Sequence, residues 1–434
     1  MSTSSPDVAI LVYQAVKKRS EDESFDGLGN LGVEVIADVL RRAGVNVGYC
    51  SPESAIEHQV VLVSMTSTYD MLALTQAVGR LPTWKAGRRP FRVVAGGAGM
   101  QNPTVARHLV DYAAFGRSEA FAVDLVRSAL DRQPFAHPSV MNLPEITPVT
   151  LGQSELYPHA VNGRSEGFMG CKRKCKFCHY SWARQYKGPD GDYVQTSASA
   201  SSPEITWDRL RGIDHKHGRI RTALDGFSVR LRRCYGKNIS CQDVIEGIVK
   251  VGSFGGTSTV LAYNISNMPT ESDSDKAELY ATLAQAQPSG RVIVVLQSTP
   301  FRPSNLTPMQ WEPVRLTPSM SELSAQVIVD RPNLRAMHSF SNEGPWSHLV
   351  TVVAERATPV TDKLWEAICF APRLQSNPAA DKVRRVAAHF DLSPYLRQYD
   401  PDEPHPADFL NSFTAKSKLR AIARKMREEA SADV

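Results

Sequence analysis

The first hundred residues alternate short continuous apolar runs with stripes at helical spacing. Val8-Ala-Ile-Leu-Val-Tyr-Gln14 is a compact apolar run of the kind a buried strand requires. After a polar loop, Val33, Ile36, Ala37 and Leu40 recur at i, i+3, i+4 and i+7, which predicts an amphipathic helix stopped by Gly44. Val45–Gly48, Gln59–Met65 and Arg92–Ala95 predict further strands, and Met71–Gly79 a further helix. Such alternation is that of an α/β fold with a doubly wound parallel sheet. Ligands bind such sheets beyond the carboxyl ends of the strands, here Ser64–Thr68 and Gly96–Asn102. The pair Gly96 and Gly97 would let a large ligand approach the backbone closely.

Residues 120–160 are richer in proline (Pro134, Pro138, Pro144, Pro148, Pro158) and read as a connector. Between 165 and 345 strands and helices alternate again, with Thr259–Ile265 and Ile293–Leu296 as strands and Ser240 as the N-cap of a helix over Cys241–Val251. Arg335, His338, Ser339, Ser341, Glu343, Trp346 and His348 then crowd one stretch, either a substrate lining or a loop satisfied within itself. Residues 355–434 look helical. Near the end, Leu419, Ile422, Ala423 and Met426 hold helical spacing, with Lys416, Lys418, Arg420, Arg424, Lys425 and Arg427 on other faces. Such a basic helix either touches phosphate or packs on its own domain with solvated charges.

Composition sets only loose bounds. A chain of 434 residues is long enough for two or three domains. Hydrophobic content of 42% with 22% charged residues is that of a globular protein in water. The longest aliphatic run, Val292–Leu296, is too short to span a bilayer, so no membrane partner is expected. The start, Met-Ser-Thr-Ser-Ser-Pro-Asp, shows no secretory signal, and a cytoplasmic location is expected, or the host cytoplasm if the chain is virus-encoded. Fifty basic against 45 acidic residues, a net charge of +5, permits a polyanionic partner without demanding one.

The chemistry concentrates at Cys171-Lys-Arg-Lys-Cys175-Lys-Phe177-Cys178, which carries three of the seven cysteines in a C-x₃-C-x₂-C spacing. Clustered thiolates suit zinc or an iron–sulfur cluster, and three ligands leave one metal position open. A zinc site would ordinarily offer a second Cys/His pair about 12–20 residues on. His179 follows too closely for that, and His215 and His217 stand beyond a serine-rich stretch. A disulfide fits an odd cysteine total poorly.

This spacing, with Phe177 before the last cysteine, resembles the cluster motif of radical S-adenosylmethionine (SAM) enzymes. The amino-terminal stretches "NLGVEVIADVLRRAG", "VVLVSMTSTYD", "VVAGGAGMQNP" and "VDYAAFGRSEA" are similar to the cobalamin-binding-type module that precedes many radical SAM domains. The Asp-x-His-x-x-Gly signature of classical cobalamin proteins is absent, so corrinoid binding and a scaffold that only shapes a cleft both stand. Gly236-Lys237-Asn-Ile-Ser240, Asn267-Met-Pro-Thr-Glu271 and Pro300-Phe-Arg-Pro303 through Thr307-Pro308 resemble, in order, motifs of the methylthiotransferase-like branch. Asn267 stands where relatives carry glycine, and Ser304 where they carry lysine.

The resemblance implies four parts: a Rossmann-like cobalamin-binding-type domain over 1–135, a connector over 136–160, a partial (β/α)6 radical SAM barrel over 161–350, and a helical region over 351–434. It implies a [4Fe-4S] cluster on Cys171, Cys175 and Cys178, with S-adenosyl-L-methionine at the open iron and cobalamin as a further cofactor candidate. Phe177 would pack near the adenine; Ser197, Ser199, Ser228 and Arg232 would contact SAM; Gly96 and Gly97 would face the amino-terminal ligand. In the family the cluster, reduced by a flavodoxin- or ferredoxin-type electron donor, cleaves SAM to a 5′-deoxyadenosyl radical. Three functions follow as expectations: modification or rearrangement of a nucleobase or its substituent, such as hypermodified thymine in phage-type DNA; cobalamin-dependent methyl transfer; and, from the plainer metal reading, a zinc-bound nucleic-acid-binding protein.

Overall fold

The computed structural model describes residues 6–12, 30–78, 81–84, 89–167, 169–188, 205–316, 326–340, 345–370 and 378–432. The first sheet is built from β1 (Val8–Val12), α1 (Leu31–Arg42), β2 (Val47–Tyr49), β3 (Val60–Ser64), α2 (Thr68–Val78), β4 (Arg92–Gly96), β5 (Tyr112–Ala114), α3 (Ala122–Leu130) and β6 (Val140–Asn142). Its order is β2-β1-β3-β4-β5-β6, parallel except for β6 on the edge. That is a doubly wound sheet in the flavodoxin-like order. β1 is buried at every position because Val-Ala-Ile-Leu-Val presents an apolar side chain to each face. α1 begins where the Asn30 side chain accepts the Val33 N–H at 3.3 Å and ends before Gly44, whose φ is 79°.

Helices α1 and α3 cover one face of this sheet, with Ala37, Leu40, Leu125 and Val126 packed on Val8, Ile10 and Leu62. The other face packs against α2 and against helices from the far end of the chain, α8 (Pro345–Arg356), α9 (Lys363–Phe370) and α10 (Pro378–Ala387). Leu349 and Val353 of α8 are both 0% exposed, and each such burial contributes about 1.5–3 kcal/mol. Helix α3 and strand β6 both fall within the stretch read as a connector. The prolines begin only at Pro134, and the stripe Ala122, Leu125, Val126 and Ala129 ahead of them makes the helix.

Between the two sheets run β7 (Val149–Thr150) and α4 (His179–Trp182). The second sheet contains β8 (Arg219–Ala223), β9 (Thr257–Ser266), β10 (Arg291–Pro300), β11 (Gln326–Arg331) and β12 (Leu334–Phe340) in the order β11-β12-β10-β9-β8. Strands β8, β9, β10 and β12 are parallel; β11 is an antiparallel edge. Helices α5 (Val229–Cys234), α6 (Cys241–Gly252) and α7 (Asp273–Gln285) lie on one face, over Val260, Val292, Val294 and Leu296. Six βα units are expected over 161–350; the described residues contain four parallel strands there. Ser240 caps α6 in a full capping box with Asp243, as its position predicts.

The chain closes with α11 (Ser393–Leu396), β13 (Leu410–Asn411), which pairs with β7, and α12 (Lys416–Ala432). The basic terminal helix buries Leu419, Ala423 and Met426 and packs on its own protein. Arg427 pairs with Glu312 at 2.8 Å, Arg424 with Asp402, and Lys416 with Asp408. Among the described residues no helix is long and apolar enough to cross a membrane.

Candidate functional site

The cysteine segment lies against loops at the carboxyl ends of the second sheet. The Lys176 N–H donates to the Tyr235 carbonyl at 2.9 Å, just past α5. The Met309 N–H donates to the Lys176 carbonyl at 3.3 Å, from the loop after β10. Trp182 donates its indole N–H to the Cys175 carbonyl at 2.8 Å, and the His179 imidazole donates to the Asn305 carbonyl at 2.8 Å. A turn from the Cys178 N–H to the Cys175 carbonyl, 3.0 Å, folds the segment on itself. Gly236 is required beside it, because at φ 88° a Cβ would stand 3.2 Å from the Lys174 carbonyl.

None of the seven cysteines is paired in a disulfide. Cys175 is 5% exposed, and burial pushes its thiol up to about 12; Lys237 opposes the rise, while Asp225, Cys178 and Cys171 add to it. The three sulfurs therefore sense one another's charge. A buried thiol this basic ionises when a cation takes the proton's place, and metal coordination deprotonates a thiol outright. The donor set fits a soft metal or an iron–sulfur cluster. Among the described residues no group of three or more His, Cys, Asp and Glu side chains is already drawn together as a metal site.

Lys237 forms a 2.6 Å ion pair with Asp225 next to this segment. Burial opposes its charge, but Asp225 and Cys175 more than offset burial and hold the ammonium above its ordinary value. Asp225, at φ 54°, opens the loop that ends β8, and the Gly226 N–H donates to the Asn264 side chain at 2.7 Å. Asn267 takes φ 58°, the left-handed conformation a glycine would supply, so its replacement of glycine keeps the turn.

Two expected SAM contacts have other tasks in this structure. Ser228 is 1% exposed: it accepts the Leu231 N–H at 3.1 Å as the N-cap of α5 and donates to Asp275 at 2.5 Å. Arg232, 0% exposed, donates to the carbonyls of Ile239 at 2.8 Å and of Gly226 and Phe227 at 3.2 Å. One turn into α5, its guanidinium points back beneath the strand-end loop and braces it. Phe177 is half-buried against the second core. Ser197 and Ser199 lie outside the described residues, as do Ser341 and Glu343.

In the crowded stretch after 331, His338 is satisfied within the protein, Arg335 is exposed, and the buried His348 has no partner for its Nδ1. His338 accepts or donates at 2.7 Å with Ser298 and 3.0 Å with Tyr280, and burial pushes its imidazole down to about 4. His348 is buried on α8. The half-buried face of the second sheet, opposite the helices, instead aligns Tyr263 with Gln297 and Gln297 with Ser339 in register. The interruption of the apolar run of β10 by Gln297 and Thr299 is the signal that could have found them.

A cavity of about 480 Å³ opens at the carboxyl end of the first sheet. Its floor includes Leu62 and Val94, and its near wall includes Met65, Thr66, Gly96 and Gly97. Its far wall includes Glu166, Met169, Tyr180 and Arg184, which flank the cysteines on both sides. Gly97, at φ 112°, serves a backbone crossing: a Cβ there would stand 2.3 Å from the Met65 carbonyl. Gly96 has ordinary room, with the Ala114 carbonyl at 3.4 Å. Close approach of a ligand is thus not what requires glycine at 97. Arg117, 9% exposed, donates to Glu166 at 2.6 and 2.7 Å and to Glu119 and Ser154 at 3.1 Å. Burial works against both charges, yet each holds the other: Arg117 stays above its usual value and Glu166 below the usual carboxylate range.

No protein-family model matches the chain, and no curated protein matches it. Among solved structures it is similar to one described as the cobalamin-dependent S-adenosylmethionine radical enzyme OxsB with aqua-cobalamin bound, at 10% sequence identity and a TM-score of 0.26. The match covers 98% of this chain and 56% of that one, so this chain spans little more than half the length of the protein it matches.

Proposed function

We propose that the chain is a radical SAM enzyme in which Cys171, Cys175 and Cys178 hold a [4Fe-4S] cluster, with S-adenosyl-L-methionine bound beside it and a corrinoid in the cavity of the first sheet. The observation that carries this reading is the shared position of the cysteine segment. It is clamped at the carboxyl ends of the second sheet, where parallel βα folds place their active sites, and Met169 and Tyr180, which flank it in the chain, line the cavity at the carboxyl end of the first. When bound, the cluster and SAM supply the radical chemistry, with an electron from a flavodoxin- or ferredoxin-type donor.

The chain's own residues bind and orient. Trp182, His179 and Tyr235 fix the segment's backbone, and Lys237 sets a positive charge beside Cys175. Phe177 offers an aromatic face. Ser228 and Arg232 act by shaping the Gly226–Ser228 loop. Among the described residues no histidine lines the cavity. The second sheet is read as the open part of a (β/α)6 barrel, with the parts over 1–135, 136–160, 161–350 and 351–434 as its setting.

A corrinoid in that cavity would favour cobalamin-dependent methyl transfer over direct rearrangement. A nucleobase or its substituent as substrate rests on the net charge alone, since Arg424, Arg427 and Lys416 of the basic helix are tied to acids of the same chain. Anaerobic reconstitution tests the reading. About four irons per chain and SAM-dependent 5′-deoxyadenosine release are expected, with corrinoid absorbance and S-adenosylhomocysteine for methyl transfer. Stoichiometric zinc without iron would sink the reading in favour of a zinc-bound nucleic-acid-binding protein.

A further inference from the structure

Residues 154–167 form a largely exposed strap whose last three residues line the cavity, and three polar links tie it to the first sheet's layer. The Tyr157 hydroxyl donates to Asp38 of α1 at 2.6 Å. Arg164 pairs with Glu34, also of α1, at 2.5 Å. Glu166 takes both terminal nitrogens of Arg117, and its carboxylate also accepts the Tyr157 N–H at 2.9 Å. Ser165, Glu166 and Gly167 form part of the cavity wall, and the strap leads within a few residues into Cys171.

The character of these links matters. The strap has no residue in the hydrophobic cores on either face of the first sheet. A segment held by ion pairs rather than by apolar burial opens locally at low free-energy cost. The Arg164 link is half open to water: 42% of the arginine side chain is accessible, but only 3% of Glu34, and the contact is not bidentate. The Arg117–Glu166 pair is different: its side chains are 9% and 13% exposed, and its geometry is bidentate. It is the strong point of the fastening.

We propose that residues 154–167 are a latched cover over the cavity, with Arg117 as the positioning residue that holds it through Glu166. Opening this latch admits the cavity's occupant; closing it seats the occupant and sets the path of the chain into Cys171. Filling the cavity and ordering the cysteine segment are then coupled. The inference rests on the reading that the cavity takes a corrinoid.

The test uses the full chain with its cluster reconstituted and aquacobalamin as the probe. Stopped-flow release is compared for the wild type, Glu166→Gln and Arg164→Gln. Glu166→Gln is expected to speed release about 10- to 100-fold, the loss of a charge-assisted pair, and Arg164→Gln less. Addition of aquacobalamin should also sharpen the electron paramagnetic resonance signal of the reduced cluster in the wild type and not in Glu166→Gln. Should Glu166→Gln unfold, Arg164→Gln, altered at an exposed side chain, still must release faster than wild type. Unchanged release rates in a folded variant overturn the latch. A wild type that never binds aquacobalamin, while still binding iron, overturns the corrinoid reading instead.

Discussion

His179 and Asn305 stand 126 positions apart, and the imidazole of the first donates to the backbone carbonyl of the second at 2.8 Å. This bond ties the residue after the last cysteine to the loop that follows β10. Truncation by His179→Ala should therefore loosen the cysteine segment more than the fold. The expected loss of stability is about 1–2 kcal/mol, with reconstituted iron lost faster on gel filtration than from wild type. Iron retention equal to wild type would show that the clamp is not needed.

Cys175→Ser and Phe177→Ala should separate metal from ligand binding. The first is expected to abolish a four-iron cluster, since the buried sulfur would be one of the three proposed donors. The second should keep iron and weaken SAM binding, at a stability cost of about 1–2 kcal/mol for its half-buried ring. Iron analysis with equilibrium SAM binding reads both. Full SAM affinity in Phe177→Ala would remove the ring from the site.

The two adjacent glycines at the cavity should respond unequally to a methyl group. Gly97→Ala places a Cβ against the Met65 carbonyl in a left-handed conformation and should cost on the order of 3 kcal/mol. Gly96→Ala meets only ordinary contact and should change stability by less than about 1 kcal/mol. Thermal melts of the pair decide it; equal effects would contradict the crossing geometry.

His405 gives stability a pH dependence of defined sign. Burial, with Arg356 adding, pushes its imidazole down from 6.5 to about 3. Between those values the unfolded chain holds the proton and the folded one does not. Its contribution is intact above about 6.5 and is lost as pH falls toward about 3. His405→Gln should be less stable than wild type near pH 7.5. It should also lose stability less steeply between pH 6.5 and 4, by up to about 1.4 kcal/mol per pH unit. Parallel pH curves for the two proteins would refute this.

What the sequence made legible was local. β1, β3, β4, α1 and the Ser240 cap each follow from neighbours a few residues away, and each lies where spacing puts it. Ser228 shows the limit. Its place before a helix is readable, but whether its hydroxyl meets a ligand depends on Asp275, 47 residues on. Helix α3 was hidden by the proline content averaged around it. The far wall of the cavity was invisible because segments around 166 and 182 reach the first sheet only through tertiary contacts such as Arg117–Glu166.

The packing of α8–α10 on the first sheet has a consequence for synthesis. Residues 6–142 emerge from the ribosome with one sheet face already covered by α1 and α3, while a large share of the other face's partners, from Leu349 to Ala387, is still untranslated. At bacterial or eukaryotic elongation rates, about 5–20 residues per second, that apolar face waits tens of seconds for its cover. During that interval the nascent chain is a natural client for chaperones that bind apolar surface, and a premature stop before α8 would leave the part of the face beyond α2 permanently uncovered.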